Sequence, residues 1–149
     1  LERVVKLELT DILREKLGKA YSPSASHNAS RDWTGYGTFT IAVSVETGEV
    51  EATQAAIAQT IDSLLARPVD PDLLLRARQP IIERYDNALK TNGGWMALAA
   101  RTQSEPDRIE RFVNGKSRLA AITPQELLET ARQYLAREKA VELLSLPQP

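Results

Sequence analysis

The chain has 149 residues, of which 42% are hydrophobic and 26% charged, a composition typical of a globular protein with a buried core. Nineteen basic residues nearly balance twenty acidic ones, so the net charge of -1 gives no electrostatic reason to bind nucleic acid or an anionic membrane. No apolar run is long enough to span a bilayer. The absence of cysteine excludes disulfides and thiolate chemistry. We expect one domain over residues 1–149.

The first element is predicted to be an amphipathic helix that ends at Leu17. Its apolar residues recur at helical spacing, at Leu1, Val5, Leu9, Ile12, Leu13 and Leu17. Gly18 is expected to end it, because glycine adopts the left-handed C′ conformation without a Cβ penalty. From Tyr21 the period changes to two, which is typical of a strand. Arg14 and Tyr21 are therefore predicted to flank one tight corner, where a guanidinium and a phenol can converge on one ligand. The alternative is a solvated Arg14 and a half-buried strand residue at Tyr21.

Two strands are predicted next, joined by a turn over 31–35 into an antiparallel pair. Pro23 favours an edge position or the start of the first strand, since proline cannot donate to a ladder. His27 is interpreted as a polar strand residue rather than a ligand. The second strand, over 36–45, alternates clearly, and we expect helices to pack on its apolar face, which consists of Phe39, Ile41, Val43 and Val45.

The rest of the chain is predicted to be mainly helical. Asp70 and Pro71 are a typical N-cap and first residue for a helix to about residue 90. Thr123 and Glu126 are spaced as a capping box for a helix to about Leu135. The remaining helices are expected near 50–67, 95–102 and 108–119.

Three further features of this helical part are a glycine run, a group of arginines and a C-terminal apolar segment. The run Asn92-Gly93-Gly94 predicts a sharp turn, with a hinge as the alternative. Arg76, Arg78 and Arg84 are interpreted as a solvated face rather than a phosphate site. Residues 140–146 are predicted to form a last strand. The fold class is therefore α+β, an antiparallel sheet with helices packed on one face. Three strands are few for so many helices, so we expect further strands upstream and an N-terminal truncation.

The segment from Leu13 to Ser22, LREKLGKAYS, resembles the LREKLGLAYSV-type segment in the C-terminal half of M16 peptidases, the pitrilysin- and insulinase-like inverted zinc proteases. Three later stretches resemble the same family in order and spacing: ARPVDPDLLLRAR at 66–78, ALKTNGGWMALAARTQ at 88–103 and AAITPQELLETARQYL at 120–135. The pattern is most similar to the bacterial PqqL-like members of the M16B group. The resemblance implies a half-domain of the M16 peptidase-like, or LuxS-like, fold.

For the site, the resemblance implies that Arg14 and Tyr21 bind the substrate peptide, as the family's Arg and Tyr seven positions apart do. No residue of this chain inherits a catalytic or metal-ligand role, since the H-x-x-E-H motif is absent and His27 is the only histidine. No cofactor is expected on this chain, and zinc is expected in the parent protein or a partner subunit. The implied partners are a peptide substrate and the N-terminal M16 half or a zinc-bearing subunit. A homodimer through an unpaired sheet edge is a further expectation, and a PqqL-like identity would favour the periplasm over the cytoplasm.

Two functions follow from these expectations. The first is the C-terminal, substrate-binding part of a zinc-dependent endopeptidase that is inactive by itself. The alternative is a non-catalytic partner or structural subunit of a heteromeric M16B-type complex. A third interpretation, an unrelated α+β binding domain, requires the resemblances at 13–22 and 120–135 to be coincidental.

Overall fold

The computed structural model describes residues 1–18, 22–30, 32–136, 138 and 140–147, with the backbone alone for residues 16 and 17. Over these ranges the chain forms six helices and two strands. In chain order they are α1 (Glu2–Leu17), β1 (Ser24–Ala29), β2 (Gly37–Ala42), α2 (Val50–Ala66), α3 (Pro71–Ala88), α4 (Asn92–Ala99), α5 (Arg108–Ala121) and α6 (Pro124–Tyr134), and a single 3₁₀ turn at Thr47–Glu49 leads into α2.

Helix α1 is central, because it contributes to both clusters of buried side chains. Val4 and Val5 pack with buried residues of α2, α3 and α6, and the shared set is Leu64, Leu73, Leu74, Ala77, Leu127, Ala131 and Leu135. One and two turns further along α1, Leu9 and Leu13 pack with Ala56 of α2 and with half-buried Ile41 and Val43. The helical spacing of these apolar residues places them on one face of α1, and that face packs into the core of the molecule.

The two strands pair antiparallel, as predicted, with Ser26 opposite Thr40 and His27 opposite Phe39. Along the second strand segment the predicted alternation is confirmed: the apolar positions are half-buried, whereas Thr38, Thr40 and Ala42 are exposed. Phe39 and Ile41 pack against the cluster that contains Val4 and Val5. The helices therefore cover the apolar face of the hairpin and leave its hydroxyl-bearing face open, which is the α+β arrangement that the sequence indicates.

Local capping signals are confirmed at α3 and α6. The Asp70 carboxylate accepts the backbone N–H of Asp72 at 2.7 Å, and Pro71 opens α3. At α6 the Thr123 hydroxyl accepts the N–H of Glu126, while the Glu126 carboxylate accepts the N–H of Thr123 at 2.8 Å. Both N-termini are thus satisfied by residues adjacent in the sequence.

Three helix C-termini are held by arginines from other elements. Arg78 donates to the carbonyl of Ala120 at 2.7 Å, at the end of α5. Arg108 donates to the carbonyl of Ala97 at 2.7 Å, near the end of α4, and Arg132 donates to the carbonyl of Leu65 at 2.9 Å, near the end of α2. A guanidinium there satisfies carbonyls that lack helical partners and complements the negative end of the helix dipole. Of the three arginines interpreted as a solvated face, Arg76 and Arg84 are exposed, whereas Arg78 is half-buried and caps α5, so that interpretation was wrong for Arg78.

The predicted turn at Asn92-Gly93-Gly94 was also wrong, since these residues form the first turn of α4. The Thr91 hydroxyl accepts the N–H of Gly94 at 3.2 Å and caps the helix. A Cβ on Gly94 would lie 1.5 Å from the carbonyl oxygen of Ala88, so glycine here permits close approach of two backbones rather than a turn.

No strand forms in the described residues 140–147, contrary to prediction. These residues are exposed and lack regular structure. The composition of this segment favours a strand, but its backbone pairs with no strand in the described part of the chain. A strand forms only where a neighbouring strand supplies hydrogen-bond partners. The described part of the sheet therefore has two strands, β1 and β2. None of the helices in the described ranges has the length and hydropathy that a membrane crossing requires.

Candidate functional site

The candidate site begins at the C-terminal turn of α1, where Arg14 is exposed. Its neighbour Leu13 is completely buried against Ala56. Successive side chains of a helix point about 100° apart. Because Leu13 faces the core, Arg14 lies outside the buried face of α1, where it is exposed. The backbone of this turn is fixed as well, since the N–H of Gly18, at a φ of 61°, donates to the carbonyl of Arg14 at 3.1 Å. The predicted glycine stop is thus confirmed, and Arg14 lies in the last turn of the helix that Gly18 ends.

Tyr21, the second predicted site residue, lies outside the described residues. The described chain resumes at Ser22, and Pro23 is fully buried before β1 begins at Ser24. A buried residue thus lies in the described chain on each side of residues 19–21, namely Leu13 before them and Pro23 after them. The convergence of Arg14 and Tyr21 on one ligand stays a prediction.

A cavity of about 440 Å³ lies beside the middle of α1, on the N-terminal side of Arg14, between that helix and the α2–α3 connection. Its floor includes the buried Leu64 and Leu73, and its rim carries Glu8, Arg67 and Asp72 among other polar residues. Arg76, also on the rim, contacts Asp72 at 3.0 Å and Asp11 of α1 at 3.7 Å. This cavity was not predictable from the sequence, because its residues come from α1, α2, α3 and the α2–α3 connection, and the only local signal is the Pro68–Pro71 break. Its mixed charge indicates no particular ligand class.

His27 forms a hydrogen bond with a glutamate of α1. Its Nδ1 lies 2.8 Å from Oε2 of Glu2, and both side chains are partly exposed. The hydrogen bond from the His27 side chain lowers the pKa of Glu2, and burial opposes that shift only in part. This contact ties the start of α1 to the middle of β1.

The donor set of the described residues does not fit a zinc site. No three histidine, cysteine, aspartate or glutamate side chains in those ranges are close enough to hold a metal ion together. A catalytic zinc site requires three protein ligands, so we derive no zinc chemistry from this chain.

Comparison with known proteins places the fold. The family model described as "Peptidase M16 inactive domain" matches residues 3–81, which include Arg14 and Tyr21. Among solved structures, the chain is similar to the periplasmic protease PqqL from Escherichia coli, with a TM-score of 0.68 over 89% of this chain at 15% sequence identity. The chain spans only 15% of the length of that protein. No curated protein matches the sequence.

The structural match agrees with the predicted fold class, since the similarity extends over most of the helices and the hairpin. At this identity it shows the fold alone. The family match is the stronger finding, because it covers slightly more than half of the 149 residues. The chain therefore belongs to the peptidase M16 family, as a member of its inactive-domain group.

Proposed function

We propose that this domain is the substrate-binding, non-catalytic part of a zinc-dependent endopeptidase, and that Arg14 and Tyr21 contact the bound peptide. The observation that carries the proposal is the family match over residues 3–81, which include Arg14 and Tyr21. The resemblance implies a substrate-contact role for an Arg and a Tyr seven positions apart, and these two residues have that separation. The exposed position of Arg14 on a turn fixed by Leu13 and Gly18 supports it.

The chemistry of the two side chains suits a peptide ligand. A guanidinium donates several N–H groups in a fixed plane, which suits backbone carbonyl oxygens of an extended peptide. A phenol hydroxyl can donate a hydrogen bond to an oxyanion that develops on the scissile carbonyl. Arg14 would then position the substrate and Tyr21 would stabilise charge during the reaction. The zinc site of such an enzyme would be formed by residues outside this chain.

The test is steady-state kinetics of the full-length protein with Tyr21→Phe and, separately, Arg14→Gln. Loss of one oxyanion donor typically lowers kcat about 10²-fold, so we expect a decrease of that order for Tyr21→Phe with unchanged zinc content. Arg14→Gln is expected to raise KM about tenfold, because charge-assisted hydrogen bonds to the peptide are lost. Arg84→Gln, which removes an exposed arginine of α3, is the matched control. Unchanged kinetics for both site variants would overturn the proposal.

A second candidate is a non-catalytic partner or structural subunit of a heteromeric M16B-type complex. The description of the matching family as an inactive domain favours it. Co-purification distinguishes the two functions: a self-contained enzyme hydrolyses peptide alone, whereas a subunit does so only after a zinc-bearing chain is added.

A further inference from the structure

The sequence contains two Asn-Gly pairs, and the fold places them in different surroundings. Asn92 and Gly93 are the first two residues of α4, and both are exposed. Asn114 and Gly115 lie in the middle of α5, and both are half-buried. An asparagine followed by glycine is chemically prone to lose its side-chain amide, because glycine has no side chain that obstructs attack by its own backbone nitrogen. The two pairs therefore form an internal comparison.

The backbone nitrogen of Gly93 is available for this reaction. The first N–H groups of a helix have no acceptor within the helix. In this turn the Thr91 carbonyl accepts the N–H groups of the next two residues, Gly94 at 3.1 Å and Trp95 at 3.3 Å. In the part of the chain that the structure describes, no group accepts the N–H of Gly93. The space around Gly93 is also open, since a Cβ there would meet only the Thr91 hydroxyl, at 3.9 Å.

The first turn of α4 can open at little cost. All eight residues of α4 are described, and none of them is buried. Asparagine and glycine are poor helix formers, and helix ends with few buried contacts open with free energies close to zero. The Asn92 side chain reaches the Gly93 nitrogen when the backbone of Asn92 leaves the helical conformation. That rotation requires only fraying at the end of a short helix.

The second pair is protected by its own helix and by α3. Gly115 is the eighth residue of α5, so its N–H has the carbonyl of Arg111 as its helical acceptor. Helix α5 packs on α3 through the rings of Phe112 and Tyr85, whose centroids lie 5.5 Å apart. A Cβ on Gly115 would clash with the Tyr85 hydroxyl, so the two helices are in close contact at this residue. Attack at Asn114 consequently requires α5 to unwind in its middle and to separate from α3.

We infer that Asn92 is a site of spontaneous deamidation in the folded protein, whereas Asn114 is not. The Gly93 nitrogen attacks Cγ of Asn92, a bond forms between these two atoms, and Nδ2 leaves as ammonia with the proton of the Gly93 amide. Water then hydrolyses the resulting succinimide. Cleavage of the new bond gives aspartate at position 92. Cleavage of the original peptide bond gives isoaspartate, in which the main chain continues through the side-chain carbonyl.

The two products have different consequences for α4. Aspartate adds a negative charge at the first residue of the helix, where the helix dipole favours it. Isoaspartate lengthens the main chain by one atom directly before Gly94, whose backbone closely approaches the Ala88 carbonyl. The longer chain displaces the Thr91 cap relative to that contact. The modification thus changes either the charge or the conformation of the α3–α4 corner.

The test is incubation of the full-length protein in mildly alkaline buffer at physiological temperature, followed by tryptic digestion and mass spectrometry. Trypsin releases the two pairs on separate peptides, TNGGWMALAAR (91–101) and FVNGK (112–116). In the folded protein, deamidation of Asn92 is expected to be at least about tenfold faster than that of Asn114, because the rate follows the population of the locally open state. In urea the two rates are expected to converge, because neither pair is then held in a helix.

A variant and a product assay connect the reaction to the Asn92–Gly93 pair. Gly93→Ala is expected to slow deamidation of Asn92 about tenfold, since the added Cβ obstructs the attacking nitrogen. Gly48→Ala changes an exposed glycine that no asparagine precedes, and this matched control should leave the rate unchanged. Methylation by an isoaspartate-specific carboxyl methyltransferase is expected to label the peptide 91–101 of the incubated protein and not the peptide 112–116.

Three outcomes would overturn the inference. They are equal rates at Asn92 and Asn114 in the folded protein, no reaction at Asn92 in the folded protein, and a difference between the two pairs that persists unchanged in urea. The last result would show that the neighbouring side chains, rather than the fold, determine the two rates.

Discussion

At the residue scale, two adjacent glycines in the first turn of α4 have opposite roles. A Cβ on Gly94 would lie 1.5 Å from the Ala88 carbonyl oxygen, whereas a Cβ on Gly93 would meet only the Thr91 hydroxyl, at 3.9 Å. The clash at Gly94 is with a backbone atom, so no side-chain rotation can relieve it. The contact at Gly93 is at an ordinary van der Waals distance.

We therefore expect Gly94→Ala to destabilise the protein by about 2 kcal/mol or more, since overpacking against a backbone forces the α3–α4 corner apart. Gly93→Ala, its matched control, is expected to be neutral or stabilising by up to about 1 kcal/mol, because alanine favours the helix more than glycine does. Urea denaturation of both variants measures the difference. Equal stabilities would contradict the close approach at Gly94.

Also at this scale, Arg132 joins α6 to α2. Arg132→Gln removes the bond to the Leu65 carbonyl at 2.9 Å, so the free energy of unfolding should fall by about 1 kcal/mol. Arg84→Gln removes an exposed arginine of α3 and should leave that free energy within about 0.5 kcal/mol of wild type. Thermal unfolding provides the comparison, and an equal effect of both changes would argue against the capping role of Arg132.

At the element scale, the start of α6 makes stability depend on pH. Hydrogen bonds from the Thr123 backbone N–H, and secondarily from its hydroxyl, lower the pKa of Glu126. A carboxyl whose pKa is lower in the folded state stabilises the fold above its unfolded pKa of about 4.3. That contribution is lost as the pH falls through the lower, folded pKa.

Thr123→Ala removes the hydroxyl donor but keeps the N–H. The pKa of Glu126, followed by carbon-13 NMR, should accordingly rise part of the way toward its ordinary value. Glu126→Gln should reduce the loss of stability between neutral and acidic pH. A Glu126 pKa that does not respond to Thr123→Ala would refute the arrangement.

Some elements were predictable from the sequence because their chemistry is local, and others were not because it depends on distant residues. The Asp70 and Thr123 caps depend on residues within three positions of each other, so the sequence contains all of their chemistry. The segment 140–146 has strand-like composition, but pairing depends on a distant neighbour that local composition does not reveal. Gly94 likewise owes its role to the Ala88 carbonyl, and a turn signal was the natural interpretation of its local sequence.

At the scale of the whole molecule, α1 connects the core to the candidate site. Val4, Val5, Leu9 and Leu13 anchor one face of this helix, and its last turn presents Arg14. Periodicity was sufficient to predict the helix, its glycine stop and the α+β class. The role of Arg14 could be predicted only through the family resemblance, because an exposed arginine at a helix end is common in any globular protein.

Arg14 and Tyr21 are proposed to act on the same substrate peptide. A double-mutant cycle on kcat/KM of the full-length protein, or of its complex with a zinc-bearing subunit, tests this joint role. We predict that Arg14→Gln and Tyr21→Phe are coupled by about 1 kcal/mol or more, as residues that share a ligand usually are. Two variants that each impair catalysis yet combine additively, or variants without any effect, would contradict the claim.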